Sequence, residues 1–246
     1  MTNNTQLTNE EMYLHFYQHT LAKNTQREVD FLEQICPLQP GDTLLDIPCG
    51  YGRHALELAQ RRPDVAVKGF DISPRYIAMA KQTAGKNAEF SVADMRTAPL
   101  PQGVALASCL YTSFGYFDDK ENFAFLRQVF SALKPGGKLV IDVINTARIR
   151  PGETIFMRRG DDYIADEVRI VAAGEYCFQR RFVINRQHYQ REYTLRTYAP
   201  EAFTELFQSL GGKCRFYGDF NGESYRRHSK RMIVAVTAGS KHATDV

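Results

Sequence analysis

The chain has 246 residues, 43% of them hydrophobic, enough to bury the core of one larger α/β domain carrying a small insertion. Its formal charge of +3 is mild but uneven: from Arg148 onward 17 Lys and Arg stand against 12 Asp and Glu, spread over strand-like segments, which reads as solvated surface before it reads as a nucleic-acid face. Five cysteines, an odd count without a CxxC pair, fit reduced thiols in a cytoplasmic protein better than a disulfide framework or a zinc site.

The start, MTNNTQLTNEEMYLHFYQHT, is polar and acidic where a signal peptide is basic and then apolar. No later stretch approaches the roughly 20 apolar residues that span a bilayer, so no membrane partner is expected. From Glu10 to Ile35, Met12, Phe16, Val29, Phe31, Leu32 and Ile35 recur at helical spacing and predict two helices, part of a helical lid over residues 1–40. The turn Gln39-Pro40-Gly41-Asp42 leads into Thr43–Ile47, a short apolar run typical of a buried parallel strand. Strands and helices then alternate: a helix at 53–61, a strand at 65–70, a helix at 74–83, and strands at 88–92 and 104–110. A helix at 120–133, the turn Lys134-Pro135-Gly136-Gly137 and a strand at 138–143 follow. Such alternation calls for a parallel sheet with helices on both faces.

Between Glu153 and Tyr198 the pattern changes to three stretches (163–171, 176–185, 188–198) rich in Tyr, Phe, Val and Ile, broken at Gly174-Glu175 and Asn185-Arg186, which predict an inserted antiparallel sheet. A helix at 200–210 and strands at 213–217 and 231–237 return to the main sheet. The expected organisation is a Rossmann-like domain over 41–147 and 199–246, with the insertion at 148–198.

Chemistry concentrates at strand ends. Leu44-Leu45-Asp46-Ile47-Pro48-Cys49-Gly50-Tyr51-Gly52-Arg53-His54 is a strand entering a glycine turn that opens a helix; Gly50 and Gly52 admit a ligand close to the backbone. Asp71 ends the second strand 21 positions after Gly50, the spacing at which dinucleotide folds place a carboxylate for ribose hydroxyls; Ser73 before Pro74 is the better helix cap. Ile72 follows Asp71, and Asp94-Met95 follows the third strand, suited to an adenine amino group and ring. Leu110-Tyr111-Thr112-Ser113-Phe114-Gly115-Tyr116-Phe117 puts aromatic rings and hydroxyls after the fourth strand.

Together these residues resemble class I S-adenosylmethionine (SAM)-dependent methyltransferases, over about Leu44 to Val143. Within that class, Asp46 to His54, the TSFGYF segment and Tyr217-Gly218-Asp219-Phe220 look like bacterial small-molecule methyltransferases with an inserted antiparallel sheet. The resemblance implies an α/β, doubly wound, Rossmann-like seven-stranded sheet with its last strand antiparallel. SAM would be held by Asp46, Gly50, Gly52, Asp71, Ile72, Asp94, Met95 and Leu110, with Asp46 orienting the ammonium, and no metal is implied. Methyl transfer is then an in-line attack on the sulfonium methyl by an N, O or C atom of a small-molecule acceptor, served largely by positioning. Tyr111 and Tyr116 are the candidate catalytic residues, with His54, His15 and Tyr17 as further groups that could orient or deprotonate the acceptor.

Three other readings compete. Gly50 to Ala55 also satisfies the G-x-G-x-x-A form of the NAD fingerprint, and Tyr116 and Lys120 have the Tyr-x-x-x-Lys spacing of short-chain dehydrogenases, but Asp118-Asp119 starts a helix there and leaves Tyr116 in a loop. Arg226, Arg227, Lys230 and Arg231 would suit RNA methylation, against which stands the absence of N/D-P-P-Y after the fourth strand. A noncatalytic SAM-binding or interaction module is the third, and a role of the insertion in a homodimer stays open.

Overall fold

A computed structural model describes residues 7–239 and begins with one helix, α1 (Asn9–Ile35), where the sequence predicted two. Buried Met12, Phe16, Leu21, Thr25, Val29, Leu32 and Cys36 recur every three to five residues, so a single apolar stripe runs through the segment and no Pro or Gly interrupts it. Leu21 and Thr25 bridge the gap that had suggested a break.

The chain divides into two compact units inside α1: one holds the chain through Asn24 with Ile149–Leu195, the other Thr25–Arg148 with the chain from Arg196 onward. Parts of the predicted ranges 1–40 and 199–246 lie outside the described residues.

The larger unit is built on seven strands: β1 (Thr43–Asp46), β2 (Ala66–Asp71), β3 (Ala88–Val92), β4 (Val104–Cys109), β5 (Leu133–Ile144), and late in the chain β10 (Lys213–Tyr217) and β11 (Arg231–Thr237). Their order is β10-β11-β5-β4-β1-β2-β3. The first five run parallel, and β11 pairs antiparallel with β5 and β10, the expected arrangement of the last strand. The residues of β4 are buried along its whole length, as a central strand covered on both faces requires. On one face α4 (Asp119–Ser131) and α5 (Pro200–Ser209) pack Phe125, Val129, Phe203 and Phe207 against Leu45, Ala107, Ile141 and Val234. On the other, Val29 and Leu32 of α1 join Leu58 of α2 (Arg53–Arg61) and Ile77 of α3 (Pro74–Thr83) against Leu44, Val67, Leu106 and Ile233.

Lys134-Pro135-Gly136-Gly137 does not precede the fifth strand as a turn but lies within it. The β4–β5 register passes from Val104↔Leu133 to Leu106↔Lys138, so the extra residues bulge out between two paired ends.

The smaller unit contains four antiparallel strands, in the order β6-β7-β8-β9, instead of the three predicted: β6 (Thr154–Arg159), β7 (Asp162–Ala172), β8 (Glu175–Ile184) and β9 (Gln187–Arg196). Its first strand escaped the sequence reading because it is an edge, with five of six residues exposed and no alternation to betray it. The β8–β9 hairpin turns at Asn185-Arg186, both left-handed (φ 51° and 64°), the turn that suits strand twist. Within this unit Met12 and Phe16 pack on Ile164, Phe182 and Ile184. No described helix is long and apolar enough to cross a membrane.

Candidate functional site

In the larger unit the strand order reverses between β1 and β4, whose carboxyl ends lie side by side. Open α/β sheets bind ligands outside such a switch point. The loop after β1 contains a cis Ile47–Pro48 peptide and two left-handed glycines, Gly50 (φ 56°) and Gly52 (φ 81°). They serve different ends. A Cβ on Gly50 meets nothing within 4 Å, so the loop presents its bare backbone to open space. A Cβ on Gly52 falls 2.9 Å from Ala80 Cβ and 3.1 Å from Phe90 Cε1, so that glycine lets the start of α2 pack on α3 and β3. Gly52→Ala is therefore expected to lower stability by about 2 kcal/mol, through strain and overpacking together, read as a lower urea midpoint with unchanged slope.

Asp71, at the end of β2 and buried, ties this loop down. The Gly50 N–H donates to Asp71 Oδ2 (2.8 Å) and the Ser73 N–H to Oδ1 (2.9 Å), while Ser73 Oγ accepts from the Tyr76 N–H (3.2 Å) and caps α3. One carboxylate thus holds together the ends of two strands that a nucleoside would bridge.

Asp46, at the end of β1, is only 1% exposed. Ser108 Oγ donates to its Oδ1 (2.6 Å), whereas Oδ2 is buried without a hydrogen-bond partner. Burial pushes the Asp46 carboxyl pKa upward, against the opposing pull of His54, Ser108 and Arg53. An orphaned acceptor at a glycine loop fits a cationic donor, such as the ammonium of an amino acid.

The loop after β4 carries the next candidates. Leu110 is buried, and Tyr111 sits with Arg53 Cζ 5.3 Å and Arg231 Cζ 5.7 Å from its ring centroid. Phe114 turns into the core against Phe125, Tyr198 and Phe203, while Tyr116 is 49% exposed. Along the same edge, Ile72 and Val92 leave apolar side chains 67% and 52% exposed, faces on which a flat ring can lie. Asp94, beside them, is engaged by Arg96 through Nε (3.1 Å) and Nη2 (2.6 Å), and that guanidinium holds its carboxyl below the usual range. Met95 is half-buried against the core.

Two further candidates, His15 and Tyr17, belong to the smaller unit. His15 pairs with Asp162 (2.7 Å), and Tyr17 faces Arg180, which forms a two-point ion pair with Asp166 (2.6 Å each); all of these belong to the smaller unit. Burial raises the Tyr17 phenol pKa, away from a ready base. His54 joins a cluster the sequence reading missed. Its Nε2 lies 2.9 Å from Glu28 Oε2, and Arg53 Nη1 donates to Thr25 Oγ1 (3.1 Å) and to the same Glu28 oxygen. Burial pushes the Glu28 carboxyl upward, but the His54 and Arg53 hydrogen bonds and charges outweigh it and bring it below the usual range. Ionised Glu28 only accepts, so the hydrogen between the two side chains sits on His54 Nε2. The available signal was a glutamate inside the apolar stripe of α1. Arg231, counted in a surface basic cluster, instead reaches back to Asp142, a fully buried carboxylate inside the apolar run Leu139–Val143.

Fold and site together define an open α/β domain with a glycine loop and two buried carboxylates, Asp46 and Asp71, at its switch point. Residues 44–137 match the family model of the methyltransferase domain. The chain is 33% identical over 127 residues to 27-O-demethylrifamycin SV methyltransferase of Amycolatopsis mediterranei, covering 50% of this chain and 46% of the relative. It is 33% identical over 118 residues to demethylmenaquinone methyltransferase of Thermus thermophilus, covering 47% and 51%. The chain thus spans about half the length of these curated relatives. Among solved structures, a SAM-dependent methyltransferase from Clostridium acetobutylicum shares the fold with TM-score 0.78 and 16% identity over 91% of this chain and 98% of that one. A SAM-bound amino pentose methyltransferase of calicheamicin biosynthesis from Micromonospora echinaspora does so with TM-score 0.73 and 19% identity over 96% and 99%. Residues 44–137 thus match a methyltransferase domain, on a fold shared with SAM-dependent methyltransferases.

Proposed function

We propose that the chain as a whole is a methyltransferase that binds SAM across the carboxyl ends of β1, β2 and β4 and moves its methyl group to an N, O or C atom of a small molecule, in a reducing cytoplasm. The observation that carries this reading is the buried, unpartnered Asp46 Oδ2 beside a glycine loop that Asp71 holds in place. Asp46 takes the ammonium of the methionine moiety, Asp71 the ribose, and Ile72 the adenine ring. The cytoplasmic placement is supported by five unpaired thiols.

SAM supplies an activated methyl on a sulfonium, so this chain's part is to bind, orient and exclude water. Around the switch point stand Asp46, Asp71, Glu28 and Asp142 against Arg53 and Arg231, a surplus of negative charge that suits a sulfonium. Tyr111 and Tyr116 orient the acceptor, and a general base enters only for an acceptor that must lose a proton. Acceptor choice is assigned to the segment 1–40 and the insertion 148–198, both of which lie outside the matched 44–137.

Isothermal titration tests the cofactor assignment: SAM and S-adenosylhomocysteine (SAH) are expected to bind and NAD to give no heat. Binding of NAD with none of SAM overturns the reading. Labelled-methyl transfer is then screened against hydroxyl, quinone, phosphoamine and amino-sugar acceptors, chosen from the names of the relatives.

A further inference from the structure

Directly after β4, Tyr111 and Thr112 adopt left-handed backbone conformations (φ 60° and 58°) without being glycine. Each such residue costs about 1–2 kcal/mol, so something must hold the pair. Asp142 does: its Oδ2 accepts from the Tyr111 N–H (2.9 Å) and its backbone oxygen from the Thr112 N–H (2.9 Å). Its carboxylate is fully buried and is met by Arg231, whose Nε donates to Oδ1 (2.7 Å) and Nη2 to Oδ2 (2.8 Å). The same Nη2 reaches Thr112 Oγ1 (2.7 Å). Asp142 pairs with Ile233 across β5 and β11, so Arg231, two residues away, is its diagonal neighbour on one face of the sheet.

A buried ion pair is a costly way to make a turn that two glycines would form unaided. What this arrangement adds is a fixed aromatic ring. Tyr111 is set beside Arg53, the first residue of the helix that leaves the glycine loop, and Arg53 is itself anchored by Glu28 and Thr25.

We propose that Arg231 and Asp142 are positioning residues that hold Tyr111–Thr112 in their left-handed turn and thereby fix the Tyr111 ring as the wall of the cofactor crevice between β1 and β4. The proposal rests on the methyltransferase reading above. The ring closes the crevice beside the glycine loop, and the ion pair acts on the cofactor only through it.

The test is SAH binding by calorimetry, read first on the wild type: no binding there overturns the methyltransferase reading itself, before any variant is considered. With wild-type binding in hand, Arg231→Met is expected to weaken SAH about tenfold, the loss of one charged hydrogen-bonding group. Adding Thr112→Gly is expected to recover most of that loss, because glycine enters the left-handed region without penalty, and general destabilisation gives no reason for such a recovery. Arg231→Lys keeps the charge opposite Asp142, and so the fold, but loses the fork that reaches Thr112 too, and is expected to fall between. The protein contains no tryptophan, so Tyr111→Trp introduces a sole reporter whose emission is expected to shift on SAH addition. Wild-type affinity in Arg231→Met or, where that variant does not fold, in Arg231→Lys overturns the proposal. So does failure of Thr112→Gly to restore binding, or indole emission from the Tyr111→Trp variant that SAH leaves unmoved.

Discussion

Asp71→Ala is expected to weaken SAH binding by at least about a hundredfold while leaving a folded protein. The carboxylate accepts the Gly50 and Ser73 amides at 2.8 and 2.9 Å, so its removal frees the glycine loop from β2 and also deletes the acceptor assigned to the ribose. Hydrogen bonds from the two ribose hydroxyls to a charged group contribute about 1.5–3 kcal/mol each, and losing both corresponds to roughly a hundredfold or more in affinity. Asp71→Asn keeps one carbonyl oxygen and is expected to retain part of the binding. The loss should be specific to ligands carrying the nucleoside, so titration with free methionine serves as the control. SAH affinity within threefold of wild type in Asp71→Ala would remove Asp71 from the site.

The carboxylates and glycines that stand at the ends of β1 and β2 were legible because each is bound to a local pattern. Asp46, Gly50 and Asp71 sit at the ends of short apolar runs with fixed spacing, and strand-to-helix alternation alone places those ends on one edge of a parallel sheet. What stayed hidden depends on distant pairing. Glu28 looks like a polar interruption of a helix, and Asp142 like an error in a strand, until Arg53 and Arg231 are brought to them over 25 and 89 residues of chain. Asp94 was equally visible by its position after β3, but its pairing with Arg96, two residues on, was not read from the sequence, nor was the exposure of the apolar Ile72 and Val92 along the same edge. The edge strand β6 was missed for a related reason: a strand paired on one side and solvated on both faces carries no periodic signature.

Asp46→Asn is expected to change stability and binding in opposite directions, and both effects should depend on pH. Burial, set against His54, Ser108 and Arg53, raises the folded-state pKa of Asp46 above its unfolded value. A carboxyl with a raised folded pKa contributes stability that is complete below the unfolded pKa and is lost as pH rises through the folded one. Once pH has risen through that folded pKa, the ligand-free protein carries the strain of an ionised, half-satisfied carboxylate whose Oδ2 has no partner. Asparagine keeps an oxygen for the Ser108 hydroxyl without that charge, so the variant should gain in melting temperature over the wild type as pH rises through the folded pKa of Asp46, and the difference should shrink as pH falls. Binding runs the other way, because the methionine ammonium is the partner the ionised oxygen lacks. SAH affinity of the wild type should rise with pH through the raised pKa of Asp46, with proton release seen as a dependence of the calorimetric heat on buffer ionisation. In Asp46→Asn that dependence should vanish, and affinity at a pH above the wild-type Asp46 pKa should drop by about tenfold to a hundredfold, the range for a charge-assisted hydrogen bond. A variant that binds SAH with the wild-type pH profile would show that another group receives the ammonium.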